Sequence, residues 1–288
     1  MLPVLAFGCA APGGGSAVPV PNPSPARIVA IGDIHGDPEA ALDVLRIAGL
    51  ADASGAWSGG EAWLVQTGDV TDRGPDSHGV IVLLRRLQRE AAAAGGKVIP
   101  LLGNHEVMNM QGDLRYVSEG DYAGYGGPEK RALAFSASGE DGAWLRGLDA
   151  IAQVGDTLFM HGGLDANWAA QGVPALNALV RAAIPTPKHP VLGPDGPLWN
   201  RSYLLGDEAT ICPELTRALA LTGATRMVLG HTTQDSGKVA SRCEGRLYGI
   251  DTGISAYYGG HRAALELRGD IVTPLYPTAA VTSEAAAR

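Results

Sequence analysis

Six glycine-bearing stretches, each following or ending an apolar run, hold the side chains of this sequence that could do chemistry. They are Gly32-Asp33-Ile34-His35-Gly36, Gly68-Asp69-Val70-Thr71-Asp72-Arg73-Gly74, Gly103-Asn104-His105-Glu106, His161-Gly162-Gly163, Gly230-His231 and Ile250-Asp251-Thr252-Gly253. A buried strand that ends in glycine can turn sharply and leave the next side chain at its carboxyl end, where open α/β sheets bind ligands. Four of the seven histidines lie in these stretches, together with Asp33, Asp69 and Asn104. Oxygen and imidazole donors without cysteine suit Mn, Fe, Zn or a similar divalent ion rather than a thiolate zinc site. Seven such residues are enough for two metals that share one carboxylate. Singly, each stretch has a plainer reading: an Asp that bonds its own turn, an Asn that caps a helix, a loop histidine. Their recurrence favours a metal centre.

Elements able to position these residues follow from the pattern between them. Arg27 to Gly32 reads as a buried strand, and Asp37-Pro38 opens a helix that runs to about Gly49, with Asp37 as N-cap and Pro38 in the first turn. A second strand spans Ala62 to Thr67, a long helix Ser77 to Ala94, and a third strand Lys97 to Leu102. That β-α-β-α-β order needs crossovers and therefore a largely parallel sheet. Gln111 to Gly127 reads as irregular, followed by short helices over Glu129–Ser136 and Gly139–Gly147. Ile151–Val154 and Thr157–Met160 form a hairpin turning at Gly155-Asp156, and Leu176–Ala183 and Pro213–Leu221 are helical around a Pro-rich loop. Met227–Leu229 is a strand. Lys238–Arg242, Arg246–Ile250, Ala263–Arg268 and Ile271–Leu275 are expected to make an antiparallel close.

The 288 residues are 45% hydrophobic and carry a formal charge of −8. Such a chain buries a core in one large or two small domains. Its charge argues against nucleic acid or an anionic membrane as a partner, so a bound phosphate needs a local positive centre. No stretch approaches the roughly 18 apolar residues of a membrane span. Residues 1–26 differ from the rest: an apolar start, then a Gly/Pro/Ser-rich tract that reads as a linker. Gly8-Cys9 resembles the end of a bacterial lipoprotein signal, although the run is short, lacks a basic start and has Phe7 where a smaller residue is usual. Two readings stay open: a periplasmic, membrane-anchored lipoprotein with lipid at Cys9, or a cytoplasmic protein with an ordinary tail. Cys212 and Cys243 remain as a pair that an oxidising compartment would allow.

With these residues in view, the sequence resembles the phosphoprotein phosphatase family of calcineurin-like metallophosphoesterases. The blocks Gly32–Gly36, Gly68–Gly74, Gly103–Glu106, His161–Gly163 and Gly230-His231 carry the resemblance, and the pair Asp72-Arg73 is its most specific part. Gly103–Asn109 running on to Gly112-Asp113-Leu114-Arg115-Tyr116, then Gly196–Arg201 and Ile250–Gly253, is similar to the Shewanella-like protein phosphatase branch. The Ser-Ala-Pro-Asn-Tyr segment of the eukaryotic Ser/Thr enzymes is absent.

The resemblance implies an α/β fold in which helices flank a central two-sheet β-sandwich (αββα). It implies one catalytic domain over residues 27–277; the signal- or linker-like residues 1–26 precede it, and the Ala-rich residues 278–288 read as a frayed tail. Carried onto matching positions, it puts Asp33 and His35 on one metal, Asp69 between two, and Asn104, His161 and His231 on the second. Two divalent ions are implied, manganese first, with iron, zinc or cobalt as alternatives. A water shared between them, ionised near neutral pH, would attack phosphorus in line. Arg73, and Arg201 on a looser match, would clamp the phosphoryl oxygens. His105 would protonate the leaving oxygen, with Asp72 orienting it.

The expected activity is phosphomonoester hydrolysis on a phosphoprotein or small phosphoester, with phosphotyrosine ahead of phosphoserine and phosphothreonine. The rivals are a dinucleoside polyphosphate phosphatase with similar blocks and a non-catalytic metal-dependent binding protein. Intact Asp72, Arg73 and His105 speak against the last, because holding metal needs none of them. Arg115 and Tyr116 are expected at the substrate entrance. Asp251 reads equally as a neighbour of the metal residues or a turn cap. His78, His189 and His261 read as solvated or structural.

Overall fold

The computed structural model describes residues 24–278. Cys9, the N-terminal tract to residue 23 and the tail from residue 279 lie outside the described residues. In chain order the strands are β1 (Ile28–Ile31), β2 (Trp63–Gln66), β3 (Lys97–Pro100), β4 (Ile151–Val154), β5 (Thr157–Met160), β6 (Arg226–Leu229), β7 (Ala240–Arg242), β8 (Leu247–Gly249), β9 (Ala264–Arg268) and β10 (Ile271–Leu275). The helices are α1 (Pro38–Ile47), α2 (Ser77–Ala93), α3 (Asn104–Met110), α4 (Glu119–Gly124), α5 (Pro128–Phe135), α6 (Glu140–Arg146), α7 (Ala166–Ala169), α8 (Val173–Ala183), α9 (Ser202–Leu205) and α10 (Glu208–Thr222).

Two five-stranded mixed sheets, ordered β10-β9-β1-β2-β3 and β4-β5-β6-β8-β7, make the expected sandwich. Strands buried on both faces read as continuous apolar runs, and alternate residues then serve different layers. Ile28 and Ala30 of β1 meet Val65, Phe159, Val228 and Leu265 between the sheets. Val29 and Ile31 turn outward to Val44, Leu45, Ile81 and Leu84 of α1 and α2. Each such fully buried aliphatic side chain contributes about 1.5–3 kcal/mol. Within the first sheet β1, β2 and β3 run parallel, and within the second β5, β6 and β8 do. Six carboxyl ends therefore gather on one rim.

The structure corrects three local expectations. The antiparallel close is divided: β7 and β8 belong to the second sheet, where β8 runs parallel to β6, while β9 and β10 extend the first. The stretch after β3 is more helical than expected, with Asn104 opening α3 behind Gly103 as N-cap and α4 lying inside the Gln111–Gly127 region. Lastly, α10 begins at Glu208, with Pro213 in its interior rather than at its start. Its first turn is fastened by Thr210 and Ile211 N–H groups donating to Asp207 O, by the buried Ile211 and by the Cys212–Cys243 disulfide. Those fastenings offset the hydrogen bond that proline removes.

Candidate metal centre

Each of the six rim residues follows its strand by a turn or less. Asp33 and His35 follow β1, Asp69 follows β2, Asn104 follows β3, His161 follows β5 and His231 follows β6; all are at most 4% exposed. Asp251 follows β8 and is equally buried. Glycine lets these ends crowd together: a Cβ on Gly103 would lie 2.1 Å from Asp69 Oδ1. Several of the site's own residues adopt the left-handed backbone that non-glycine residues avoid. His35, Asp69, Asp72, Arg73 and His231 have φ of 48°, 55°, 70°, 67° and 63°. Such conformations cost about 1–3 kcal/mol each and persist where the surroundings dictate them.

Asp69 sits at the centre. Its Oδ1 accepts the His105 backbone N–H at 3.0 Å, which frees Oδ2 to face three imidazoles. His161 Nε2 is 3.2 Å from that oxygen, His35 Nε2 3.7 Å and His105 Nε2 3.8 Å. Two groups able to hold an ion share it: His35, Asp69 and His105, and Asp69, His161 and His231. Asp33 adjoins the first, with Oδ2 3.9 Å from His35 Nε2, and both its oxygens accept the His231 N–H. Asn104 adjoins the second, its Oδ1 2.9 Å from His161 Nε2.

The donors fit a cation. A carbonyl can only accept, so the bond between His161 Nδ1 and Thr67 O (2.9 Å) puts the proton of the neutral ring on Nδ1. Nε2 then aims a lone pair at the same point as Asn104 Oδ1 and Asp69 Oδ2. His35 repeats the device, with Nδ1 on Thr71 O at 3.1 Å. The buried Nε2 of His231 has no hydrogen-bond partner. Burial lowers His35 to about 4 and His231 to about 2, so both rings offer lone pairs. Burial followed by the charges of Asp251 and Asp69 pushes the Asp33 carboxyl well above its usual range. Burial would also raise Asp69, yet whenever the His161 and His105 rings carry an added proton their positive charge holds it well below its usual range. Concentrated carboxylates, unprotonated imidazoles and an amide oxygen make a hard-to-borderline set suited to divalent ions.

These residues open onto a cavity of about 140 Å³ also lined by Arg73, Tyr116, Trp199, Arg201 and Tyr258. The Arg73 guanidinium lies 3.8 Å over the Tyr116 ring, its buried Nε unpartnered, and its other end reaches Tyr257 Oη at 3.4 Å. Arg201 reaches the same cavity while donating to His231 O. On the His105 side, Nδ1 bonds Asp72 Oδ2 at 2.8 Å and the ring lies tilted against Tyr116, centres 5.0 Å apart. Burial would lower that imidazole, but Asp69 and Asp72 outweigh it and raise it above the usual value. The structure thus brings together Asp33, His35, Asp69, Asp72, Arg73, Asn104, His105, His161, Arg201 and His231.

Of the side residues, Tyr116 lines the cavity, whereas Arg115 turns aside to pair with Asp113. Asp251 does both things expected of it: its Oδ1 caps the turn at Gly253, and its Oδ2, held by Thr233, borders the cavity. Sequence reasoning gave no role to Glu106. Its carboxylate accepts from the N–H groups of Gly103, Asp69, Val70 and Thr71 and from Thr71 Oγ1, all at 2.7–3.0 Å. It therefore shapes the loop that presents Asp69. A capping glutamate three residues after Gly103 was the available signal. Tyr257 and Tyr258, with Tyr258 4.8 Å from His35, were missed as well, as was Arg131 behind Asp72.

Comparison with known proteins accords with this geometry. The calcineurin-like phosphoesterase family model matches residues 26–235. An uncharacterised Schizosaccharomyces pombe protein is 40% identical over 258 residues, covering 84% of this chain and 77% of its own. Shewanella-like protein phosphatase 2 of Arabidopsis thaliana is 34% identical, covering 88% and 79%. Among solved structures, the cold-active protein-tyrosine phosphatase of a psychrophilic Shewanella species superposes with a TM-score of 0.78 at 29% identity, covering 93% of this chain and 87% of that one.

Proposed function

The chain belongs to the calcineurin-like phosphoesterase family, and from that premise we propose a metal-dependent protein phosphatase that hydrolyses phosphomonoesters, phosphotyrosine ahead of phosphoserine and phosphothreonine. The observation that carries this is Asp69 Oδ2, ringed by three imidazole Nε2 atoms at 3.2, 3.7 and 3.8 Å inside a cavity that also holds two arginines. Asp33 and His35 would hold one divalent ion and Asn104, His161 and His231 the other, with Asp69 serving both donor sets. Manganese is the ion proposed first. When bound, the two ions would supply a water acidic enough to ionise near neutral pH and would draw charge from the phosphoryl group.

The remaining chemistry lies with the chain's own residues. Arg73, pressed against Tyr116, would present a planar fork to two phosphoryl oxygens, and Arg201 lines the same cavity. With Nδ1 held by Asp72, His105 directs Nε2 into the cavity and gives its proton to the oxygen that leaves phosphorus. No covalent phosphoenzyme is needed. The tyrosine preference rests on the name of the Shewanella relative and on the aromatic wall of Tyr116, Trp199 and Tyr258, which suits an aryl leaving group. Rates on a phosphotyrosine peptide, a phosphothreonine peptide and diadenosine tetraphosphate test it. The phosphotyrosine peptide should give the highest kcat/KM; a preference for diadenosine tetraphosphate would replace this reading with a nucleotide phosphatase.

A further inference from the structure

Behind Asp72 lies a guanidinium that the mechanism has not used. Arg131, on α5, is 1% exposed, and burying its charge is costly unless every donor is matched. Its three nitrogens reach three different acceptors. Nε donates to Asp121 Oδ2 at 2.7 Å, Nη1 to Asn109 Oδ1 at 2.6 Å and Nη2 to Asp72 Oδ1 at 3.3 Å. Its Cζ lies 4.2 Å from the centre of the Phe135 ring.

This arrangement fixes more than Arg131. Because the Asn109 oxygen accepts from the guanidinium, the amide cannot turn over, and its Nδ2 must face Asp72. That nitrogen is 2.9 Å from each Asp72 oxygen and donates also to His105 O at 2.9 Å. The outer lone pairs of Asp72 are thus taken up, and Oδ2 is left in line with His105 Nδ1 at 2.8 Å. A second path closes the ring. Asp121 accepts the Ser77 N–H at 2.7 Å, and Ser77 Oγ accepts the Asp72 N–H at 3.1 Å. Asp72 is therefore gripped at its carboxylate and its backbone, by residues from α2, α3, α4 and α5 that all converge on Arg131.

We propose that Arg131 is a positioning residue for proton donation: through Asn109 and Asp72 it holds the His105 imidazole in the orientation that protonates the leaving oxygen. The proposal rests on the reading of His105 as the acid. It assigns a catalytic purpose to α4 and α5, which contribute nothing else to the cavity. It also separates Arg131 from Arg73 and Arg201, since its guanidinium is enclosed and meets no substrate.

Leaving-group dependence tests this, because an acid matters most where the departing oxygen is basic. Turnover is measured on phenyl phosphate and p-nitrophenyl phosphate for Arg131→Met, Arg131→Lys, Asn109→Ala and His105→Ala, with metal content and Tm recorded for each. Arg131→Met should slow phenyl phosphate by about ten- to a hundredfold, a part of the roughly 10²–10⁴ that a positioned acid supplies, and p-nitrophenyl phosphate by less than about threefold. Arg131→Lys should recover part of the loss. Asn109→Ala, which leaves the Arg131 ion pairs with Asp72 and Asp121 in place, should show the same split in smaller measure and decides the matter if Arg131→Met does not fold. If His105→Ala shows the split while Arg131→Met and Asn109→Ala slow both esters alike, the acid stands and the role of Arg131 is overturned. If His105→Ala itself slows both alike, the acid reading fails and takes this proposal with it.

Discussion

At the scale of single residues, the site separates groups that would touch metal or substrate from groups that aim them. The first kind was legible in the sequence. Asp33, His35, Asp69, Asn104, His161 and His231 each stand beside a glycine at the end of an apolar run, and the structure gathers them on one rim. The second kind was not, because Glu106 works through backbone N–H groups and Arg131 through an amide, contacts that leave no spacing rule. The His105–Asp72 pair gives a prediction at this scale. Asp72 helps raise the His105 imidazole above its usual value, so that ring keeps its proton to higher pH. Asp72→Asn removes that support, the proton leaves at lower pH, and the alkaline limb of kcat should move to lower pH. His105→Ala should lower kcat by about two to four powers of ten, and with it the alkaline limb that reports the acid. A pH–rate profile of each variant is the check; an alkaline limb unmoved in Asp72→Asn would argue against the pair.

Among the elements, the deciding feature is the strand that ends in glycine and turns at once. β1, β2, β3, β5 and β6 were readable as apolar runs, α1 from its capping Asp37, and α2 as a long helical run, to which the structure adds the cap Asp76. The short helices α5 and α6 were readable between their glycines, but α3 and α4 were not. α3 has no side-chain cap of its own at Gly103, and α4 is too brief for a periodic face. Partners of β7–β10 were hidden for another reason: antiparallel patterning shows that strands pair, not which sheet receives them. Pro213 misled because proline usually marks a helix start, whereas here the turn before it is tied by Asp207 and the disulfide. At this scale Glu106 is the test. Glu106→Gln keeps the shape but turns an amide nitrogen toward N–H donors, and unmatched buried donors cost about 1–3 kcal/mol each. Thermal unfolding should show a loss of about 2–4 kcal/mol, a Tm lower by roughly 3–8 °C, and a weaker hold on metal. Unchanged Tm and metal content would mean that the loop presenting Asp69 is shaped by something else.

Across the whole molecule, an acidic chain of net charge −8 gathers the buried carboxylates Asp33, Asp69 and Asp251 at one end of a sandwich. Burial and the neighbouring Asp251 and Asp69 charges drive the Asp33 carboxyl upward, a repulsion that cations in the centre would relieve. The folded chain would then bind metal while the unfolded chain would not, so metal should also stabilise it, by about 2.7 kcal/mol at a hundred times Kd. The metal centre requires Asp69 as a carboxylate common to two ions. Its most direct measurement is elemental analysis of the purified protein beside its phosphatase activity, before and after chelation. The prediction is two divalent ions per chain, removed together with activity by chelator, restored by Mn(II), and not retained as a pair in Asp69→Ala. Hydrolysis that survives the loss of all bound metal, or an Asp69→Ala protein that still carries both ions, would contradict it.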